Sequence, residues 1–326
     1  MNILVGSHYF ETHKGGIEIV AGELARALVA CKGMSVAWMA SDAACPPNDF
    51  PGTLVALPCW NGTESRLGVP LPVPSARAVS EIRSAVERCD LLLLHDALYP
   101  TNVVAANHAR RRSKPVLMVQ HIGLVPYRNR LLRSLMQIVN ATLAARELAR
   151  ADQVVFISGL TQKYFAERVR FRRPPRLVFN GLRSDLPLPD TLPARCAARS
   201  ILGLHPDRFT VLFAGRFVEK KGLGVVRRLA GAMPDAQWTF CGWGPVDPAS
   251  WNMPNVHVLG ALGAAGIAAA YRAADVLVLP SVGEGLPLVV QEALAFGMAV
   301  VGSEDLLVAE PWLRDRIVAV PLRAED

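Results

Sequence analysis

The sequence predicts an α/β protein made of two doubly wound parallel-sheet domains. Three observations predict it. Short apolar runs alternate with stretches of helical periodicity along both halves of the chain, the order of a parallel sheet covered by helices. The chain has 326 residues, more than the roughly 250–300 that one hydrophobic core usually serves. A proline-rich stretch, centred on Pro187, Pro189 and Pro193, separates the two runs and places a boundary near residue 183. The expected organisation is an N-terminal domain at 1–182, a linker at 183–208 and a C-terminal domain at 209–326.

In chain order, residues 2–6 read as a buried strand, Lys14-Gly15-Gly16 as a loop, and 17–31 as a helix. Ile17, Val20, Ala21, Leu24 and Leu28 form the helical stripe. Strand, glycine loop and helix make the first βα unit. Further strands are expected at 35–40, 91–95, 116–120 and 153–158, with helices at 76–88 and 129–149. In the second half, strands are expected at 210–214, 237–241, 256–259, 276–280 and 299–302. Helices are expected at 222–232, 264–273 and 288–296.

Composition narrows the function. Apolar residues make up 51% and charged residues 19%, which fits a packed core and argues against extended disorder. The net charge of +7 favours anionic partners without choosing among phosphate ligands, nucleic acid and an anionic membrane. Cys31, Cys45, Cys59, Cys89, Cys196 and Cys241 form no CxxC pair and flank no histidine cluster, so neither a zinc site nor a disulfide framework is expected. They read as reduced thiols, most of them small core residues, of a cytoplasmic protein. The first ten residues lack the features of a signal peptide, and no apolar run reaches about 18 residues.

Two basic patches stand out, at 110–114 and 127–133. The first reads as a solvated loop. The second opens a helix with Leu131, Leu132, Leu135 and Met136 interleaved. It fits a solvated face and also peripheral contact with an anionic membrane. Nucleic acid is not an expected partner, since no recognised module is present and aromatics are few.

The segments that carry chemistry lie in the second half. After the strand at 276–280 comes Ser281, then Glu284 between glycines, then a helix with Pro287 in its first turn. In such sheets ligands bind beyond the carboxyl ends of the strands. Backbone N–H groups near Gly285 and Leu286 would suit a phosphate. Glu292, eight residues past Glu284, offers two acceptor oxygens for paired hydroxyls such as those of a ribose. A second strand end, at Gly215, delivers Arg216 and Lys221 to the same edge. Two cations beside a helix N-terminus suit a diphosphate whose charge grows as a group leaves.

Together these motifs resemble the large glycosyltransferase family 4, of GT-B architecture, that includes sucrose-phosphate, trehalose and mannosyl-lipid synthases. The matching residues are Gly15-Gly16-Ile17-Glu18, His121 in Val119–Gly123, Gly215-Arg216 with Lys221-Gly222, and the E-x7-E pair Glu284 and Glu292. The glycine turn at 241–245 and Asn180-Gly181 also match, so the resemblance runs over about residues 2–303.

The resemblance implies two Rossmann-like domains facing across a cleft, a nucleotide diphosphate sugar as donor substrate, retention of configuration, and no cofactor or metal. No Asp-x-Asp triplet occurs in the chain. It implies that Gly15 and Gly16 approach the donor phosphates and that Arg216 and Lys221 bind the diphosphate. It implies that Glu292 holds the ribose, that Glu284 contacts the transferred sugar, and that His121 lies near the reacting sugar. Base recognition is expected near Trp243 and residues 258–260.

Read without the resemblance, Glu18 is a favourable first-turn acid, and His8, His13 and His95 belong to solvent or core. Relatives continue with further helices past the position of Asp326, and many have a glycine-rich turn where this chain reads 304–310. The C-terminal domain is therefore expected to be short. The acceptor implied is a glycan or a lipid-linked sugar. The alternative reading is a non-catalytic or truncated GT-B partner that binds nucleotide or another transferase without turnover. A nicotinamide dehydrogenase is disfavoured, because no G-x-G-x-x-G follows the first strand.

Overall fold

The computed structural model describes residues 1–62, 71–123, 130–187, 190, 193–282 and 286–322, with 130–133 as backbone only. The chain divides into two compact units, Met1–Gly181 and Leu182–Asp326.

The first unit holds β1 (Asn2–Tyr9), α1 (Gly16–Ala30), β2 (Ser35–Ser41), β3 (Thr53–Leu57), α2 (Ala76–Arg88), β4 (Leu91–His95), α3 (Pro100–Arg111) and β5 (Val116–Gln120). It continues with α4 (Arg130–Val139), α5 (Ala145–Arg150), β6 (Gln153–Phe156), α6 (Gly159–Ala166) and β7 (Arg176–Leu177). The strands form one sheet in the order β3-β2-β1-β4-β5-β6-β7, and the pairings are parallel. Helix starts follow local chemistry. The Ser75 hydroxyl caps α2 by accepting from the Ala78 N–H at 3.2 Å, and Pro100 opens α3.

The predicted helix at 129–149 begins at Arg130 among the described residues and runs to Arg150. A wider, π-type turn at Asn140–Ala144 interrupts it. There the buried Asn140 side chain donates to the Gly123 carbonyl at 2.9 Å.

The second unit holds α7 (Arg195–Ile201), β8 (Thr210–Ala214), α8 (Leu223–Ala232), β9 (Gln237–Cys241), β10 (Val256–Gly260), α9 (Ala264–Ala273) and β11 (Val276–Leu279). It ends with α10 (Leu288–Ala295), β12 (Ala299–Ser303), α11 (Glu304–Ala309) and β13 (Val318–Val320). Its sheet repeats the plan in the order β10-β9-β8-β11-β12-β13, again parallel. Every residue of β8, β9 and β11 is buried, as helices on both faces require.

In both sheets the winding direction reverses beside the first strand, between β1 and β4 and between β8 and β11. A crevice opens at such a reversal, beyond the carboxyl ends of the strands.

The stretch 183–208, expected as a linker, contains α7 and is fastened to the second unit. Buried Arg199 donates to the carbonyls of Ala273 at 2.9 Å and Pro206 at 2.5 Å, and to the Asp275 carboxylate at 2.7 Å. All six cysteines are free thiols. Only Cys89 and Cys241 are buried, whereas Cys31, Cys45 and Cys196 are exposed. The expectation of mostly core thiols is thus corrected. A small residue fits a core but is not obliged to lie in one. No helix among the described residues is long and apolar enough to cross a membrane.

Candidate active site

The second unit places its chemistry at the reversal between β8 and β11. After β8 the chain turns at Gly215 into exposed Arg216 and buried Phe217, then into a short 3-10 turn at Glu219–Lys221. Gly222 follows in the left-handed region, φ 78°, and starts α8. A Cβ at Gly222 would overlap the Pro280 carbonyl, so this position needs glycine twice over, for space and for backbone. The close approach brings the end of β11 against the basic turn, and the Val282 N–H donates to the Lys220 carbonyl at 3.0 Å. The segments carrying Arg216, Lys221 and Ser281 are therefore neighbours, although they lie far apart in sequence.

Glu292 faces inward on α10 and is buried. Its Oε2 accepts the Tyr271 hydroxyl at 2.7 Å. Burial raises its pKa above the ordinary 4.5, against the pull of Tyr271 and of Arg183. The second oxygen and the remaining lone pair are what it can offer a ligand. Leu286 belongs to the hydrophobic core of this unit. Glu284 and Gly285 lie outside the described residues.

In the first unit, Gly15 caps α1 and Gly16 is its first residue. The two glycines differ in surroundings. The Glu18 carboxylate folds back into the space that a Cβ on Gly15 would fill, whereas a Cβ on Gly16 would meet nothing within 4 Å. Glu18 is itself buried. Its Oε1 lies 3.1 Å from His8 Nε2 and 3.0 Å from His13 Nδ1. Burial works against its charge, but the bonds to His13 and His8 win and hold the carboxyl well below its ordinary range. His8 stacks flat on Tyr99, with ring centres 4.0 Å apart.

One strand over, His95 Nδ1 and His121 Nε2 are 2.9 Å apart. Burial, then the positive field of His8, holds His121 down at about 3. Burial likewise holds His95 well below its ordinary value. Both rings are therefore neutral near pH 7, one donating and the other accepting. Asp96 follows His95 in the left-handed region, φ 70°, with its carboxyl bonded to the Gln120 amide. Burial pushes this carboxyl up to about 8.

The structure thus gathers Gly15 and Gly16 with Glu18, His8 and His13 at the first reversal, and sets His121 against His95. In the second unit it gathers Arg216 and Lys221, and it places Glu292 inside α10. Sequence reasoning missed Tyr271, Asp96 and the pairing of His8, His13 and His95. Glu18 was read only as a first-turn acid. One signal was available: Glu18 stands three residues after the helix-capping Gly15, the spacing at which an acid reaches back over a helix start. No local pattern announces the histidine pairs. Among the described residues no group of three or more His, Cys, Asp or Glu side chains is arranged to hold a metal ion.

Two parallel sheets of matching order, each with its polar residues at the reversal, define the class of protein: a two-domain α/β protein with two doubly wound, Rossmann-like units. A profile described as Glycosyltransferase Family 4 matches residues 14–186, and one described as Glycosyl transferases group 1 matches residues 208–313. The first covers more than half of the chain, and the protein belongs to Glycosyltransferase Family 4.

Among relatives, D-inositol 3-phosphate glycosyltransferase of Mycolicibacterium gilvum is 36% identical over 122 residues, 33% of this chain and 27% of that protein. The match thus spans about a quarter of that relative's length. Among solved structures, Anabaena Alr3699/HepE in complex with UDP and glucose superposes with a TM-score of 0.70 at 18% identity, over 93% of this chain and 81% of that one. Sucrose-phosphate synthase from Thermosynechococcus elongatus gives 0.72 at 20% identity, over 98% and 86%. At these identities the likeness is one of fold.

Proposed function

We propose that this protein moves a hexose from a nucleotide diphosphate sugar to a hydroxyl of a glycan or lipid-linked acceptor, with retention of anomeric configuration and without a metal ion. The observation that carries the reading is the meeting of the Arg216–Lys221 turn with the end of β11 at the sheet reversal, in the same unit as the inward-facing Glu292. The bond from the anomeric carbon to the diphosphate breaks, and its electron pair leaves on the diphosphate. Arg216, Lys221 and the start of α8 meet that growing charge, which is where a cation contributes most to the rate. The acceptor oxygen bonds to the anomeric carbon and passes its proton to the departing diphosphate.

Glu292 takes a ribose hydroxyl with the oxygen that Tyr271 leaves open. Glu284 contacts the transferred sugar, and N–H groups near Gly285 and Leu286 take a phosphate. Gly16, with open space about it, lets the donor phosphates come close, and Gly15 beside it keeps room for Glu18. His121, neutral and bonded through Nε2 to His95, offers Nδ1 to a hydroxyl of the reacting sugar. Helix α4 with its exposed Leu135 and Ile138 supports peripheral contact with an anionic membrane, where a lipid-linked acceptor would be met.

The test is thermal unfolding with saturating UDP, GDP or ADP, on the parent and on Glu292→Ala. A ligand at 100 times its Kd adds about 2.7 kcal/mol, enough to raise the midpoint by several degrees. One nucleotide is expected to raise the parent midpoint and to leave Glu292→Ala unmoved. No shift with any nucleotide would remove the donor assignment.

A further inference from the structure

We propose that Trp243 is a positioning residue for the donor diphosphate, its indole face holding the Arg216 guanidinium in place before the ligand arrives. This rests on the reading of Arg216 as a diphosphate ligand. The Arg216 guanidinium carbon sits 4.9 Å from the centre of the Trp243 ring, inside the reach of about 6 Å at which a cation is attracted to an aromatic face.

The backbone holds the two residues side by side. The Gly215 N–H donates to the Cys241 carbonyl at 2.9 Å, the Phe217 N–H to the Trp243 carbonyl at 2.7 Å, and the Val246 N–H to the Phe217 carbonyl at 3.0 Å. The segments 215–217 and 241–246 are therefore tied on both sides of Arg216. Gly242, at φ 148°, lies so close to the Gly215 carbonyl that a Cβ there would overlap it. Phe217 anchors the turn by packing on Phe213 and Phe240, with ring centres 6.1 and 6.3 Å away.

Between these anchors Arg216 is exposed. A long exposed side chain is mobile unless something orders it, and ordering it only on ligand binding weakens that binding. Trp243, itself 38% exposed, supplies the order in advance. A guanidinium lying on a ring keeps its edge N–H groups free, so one Arg216 can stack and still grip a phosphate with two parallel bonds. An ammonium has no such plane. The ligand group concerned is the diphosphate, and this separates the role from that of a platform for the base.

Calorimetric titration of the full chain with UDP and UMP, GDP and GMP, and ADP and AMP tests the proposal. Trp243→Leu is expected to weaken the cognate nucleoside diphosphate about two- to fivefold, the range of an exposed cation–aromatic contact, and to leave the monophosphate unchanged. Trp243→Phe should retain most of the affinity. In an Arg216→Ala background, Trp243→Leu should cause no further loss. Equal weakening of mono- and diphosphate would overturn the proposal in favour of a base platform, and so would a loss that persists without Arg216. The thermal midpoint without nucleotide serves as the check on folding. If the parent binds none of the nucleotides, the donor reading falls and this inference with it. If the parent binds but Trp243 shows no preference for the diphosphate, only this inference falls.

Discussion

Asp96 shows how far the fold can move the chemistry of one residue. Asn102 holds the turn after β4 by donating to the carbonyls of His95 at 2.7 Å and Asp96 at 2.9 Å. This fixes Asp96 in its left-handed conformation with the carboxyl inside. The folded pKa of about 8 exceeds the ordinary 3.8, so the folded state holds a proton that the unfolded state releases. Stability contributed by this group is complete below about pH 4, and it falls as pH rises toward 8 at up to about 1.4 kcal/mol per unit. Asp96→Asn carries no such proton. Denaturant titrations at intervals from pH 5 to 8 should show this component of the slope in the parent and not in Asp96→Asn. Equal slopes would show that the carboxyl ionises normally. Glu18 is the opposite case, a buried carboxyl kept ionised because two histidines face it. The sequence beside Asp96 does not mark it, because Gln120, which bonds its carboxyl, arrives from β5, whereas the histidines that face Glu18 stand within ten residues of it.

At the scale of elements, the alternation of strand and helix was legible almost throughout. It was legible because helical and extended periodicities are local and because glycine and proline punctuate them. The strands at 53–57, 176–177 and 318–320 were not foreseen. β7 has two residues and β13 three, too few to display a period. Helix α4 is the element on which a functional claim rests most directly. Leu135 and Ile138 are 53% and 60% exposed, and Arg130 and Arg133 precede them in the sequence. An apolar stripe beside cations suits the interface of an anionic bilayer. Vesicles of phosphatidylglycerol should sediment the parent protein and vesicles of phosphatidylcholine should not. Leu135→Asp with Ile138→Asp should abolish the difference. Sedimentation indifferent to lipid charge would remove the membrane contact.

For the molecule as a whole, each unit has its own core. The large cluster built on Phe213, Trp238, Phe240 and Leu277 belongs entirely to the second unit, and those built on Leu92, Phe156, Trp38 and Val5 belong to the first. Arg216, Lys221, Tyr271 and Glu292 all lie in Leu182–Asp326. A fragment of residues 182–326 is therefore expected to unfold in one cooperative transition and to bind the nucleotide selected by the full chain. Its affinity should be lower by no more than about tenfold, a difference of about 1.4 kcal/mol. EDTA should leave both affinities unchanged, since Arg and Lys supply the positive charge. A folded fragment with no affinity for nucleotide would move the donor site out of this unit. A loss of binding in EDTA would restore a metal to it.

The sequence by itself determined the α/β class and the place of most of the long strands and helices. Each of these follows from neighbours within one turn or one strand. Only the tertiary structure decided which strands lie side by side. The order β3-β2-β1-β4 puts β1 next to β4 rather than β3, and a crossover leaves no local mark of where its strand will dock. That choice brings His8, Glu18 and His95 to one reversal and sets the Lys220 carbonyl beside Val282. It also decides which polar groups lose their water. Asp96 stays protonated, Glu18 stays charged and Arg216 rests on Trp243 because of what packing places around them.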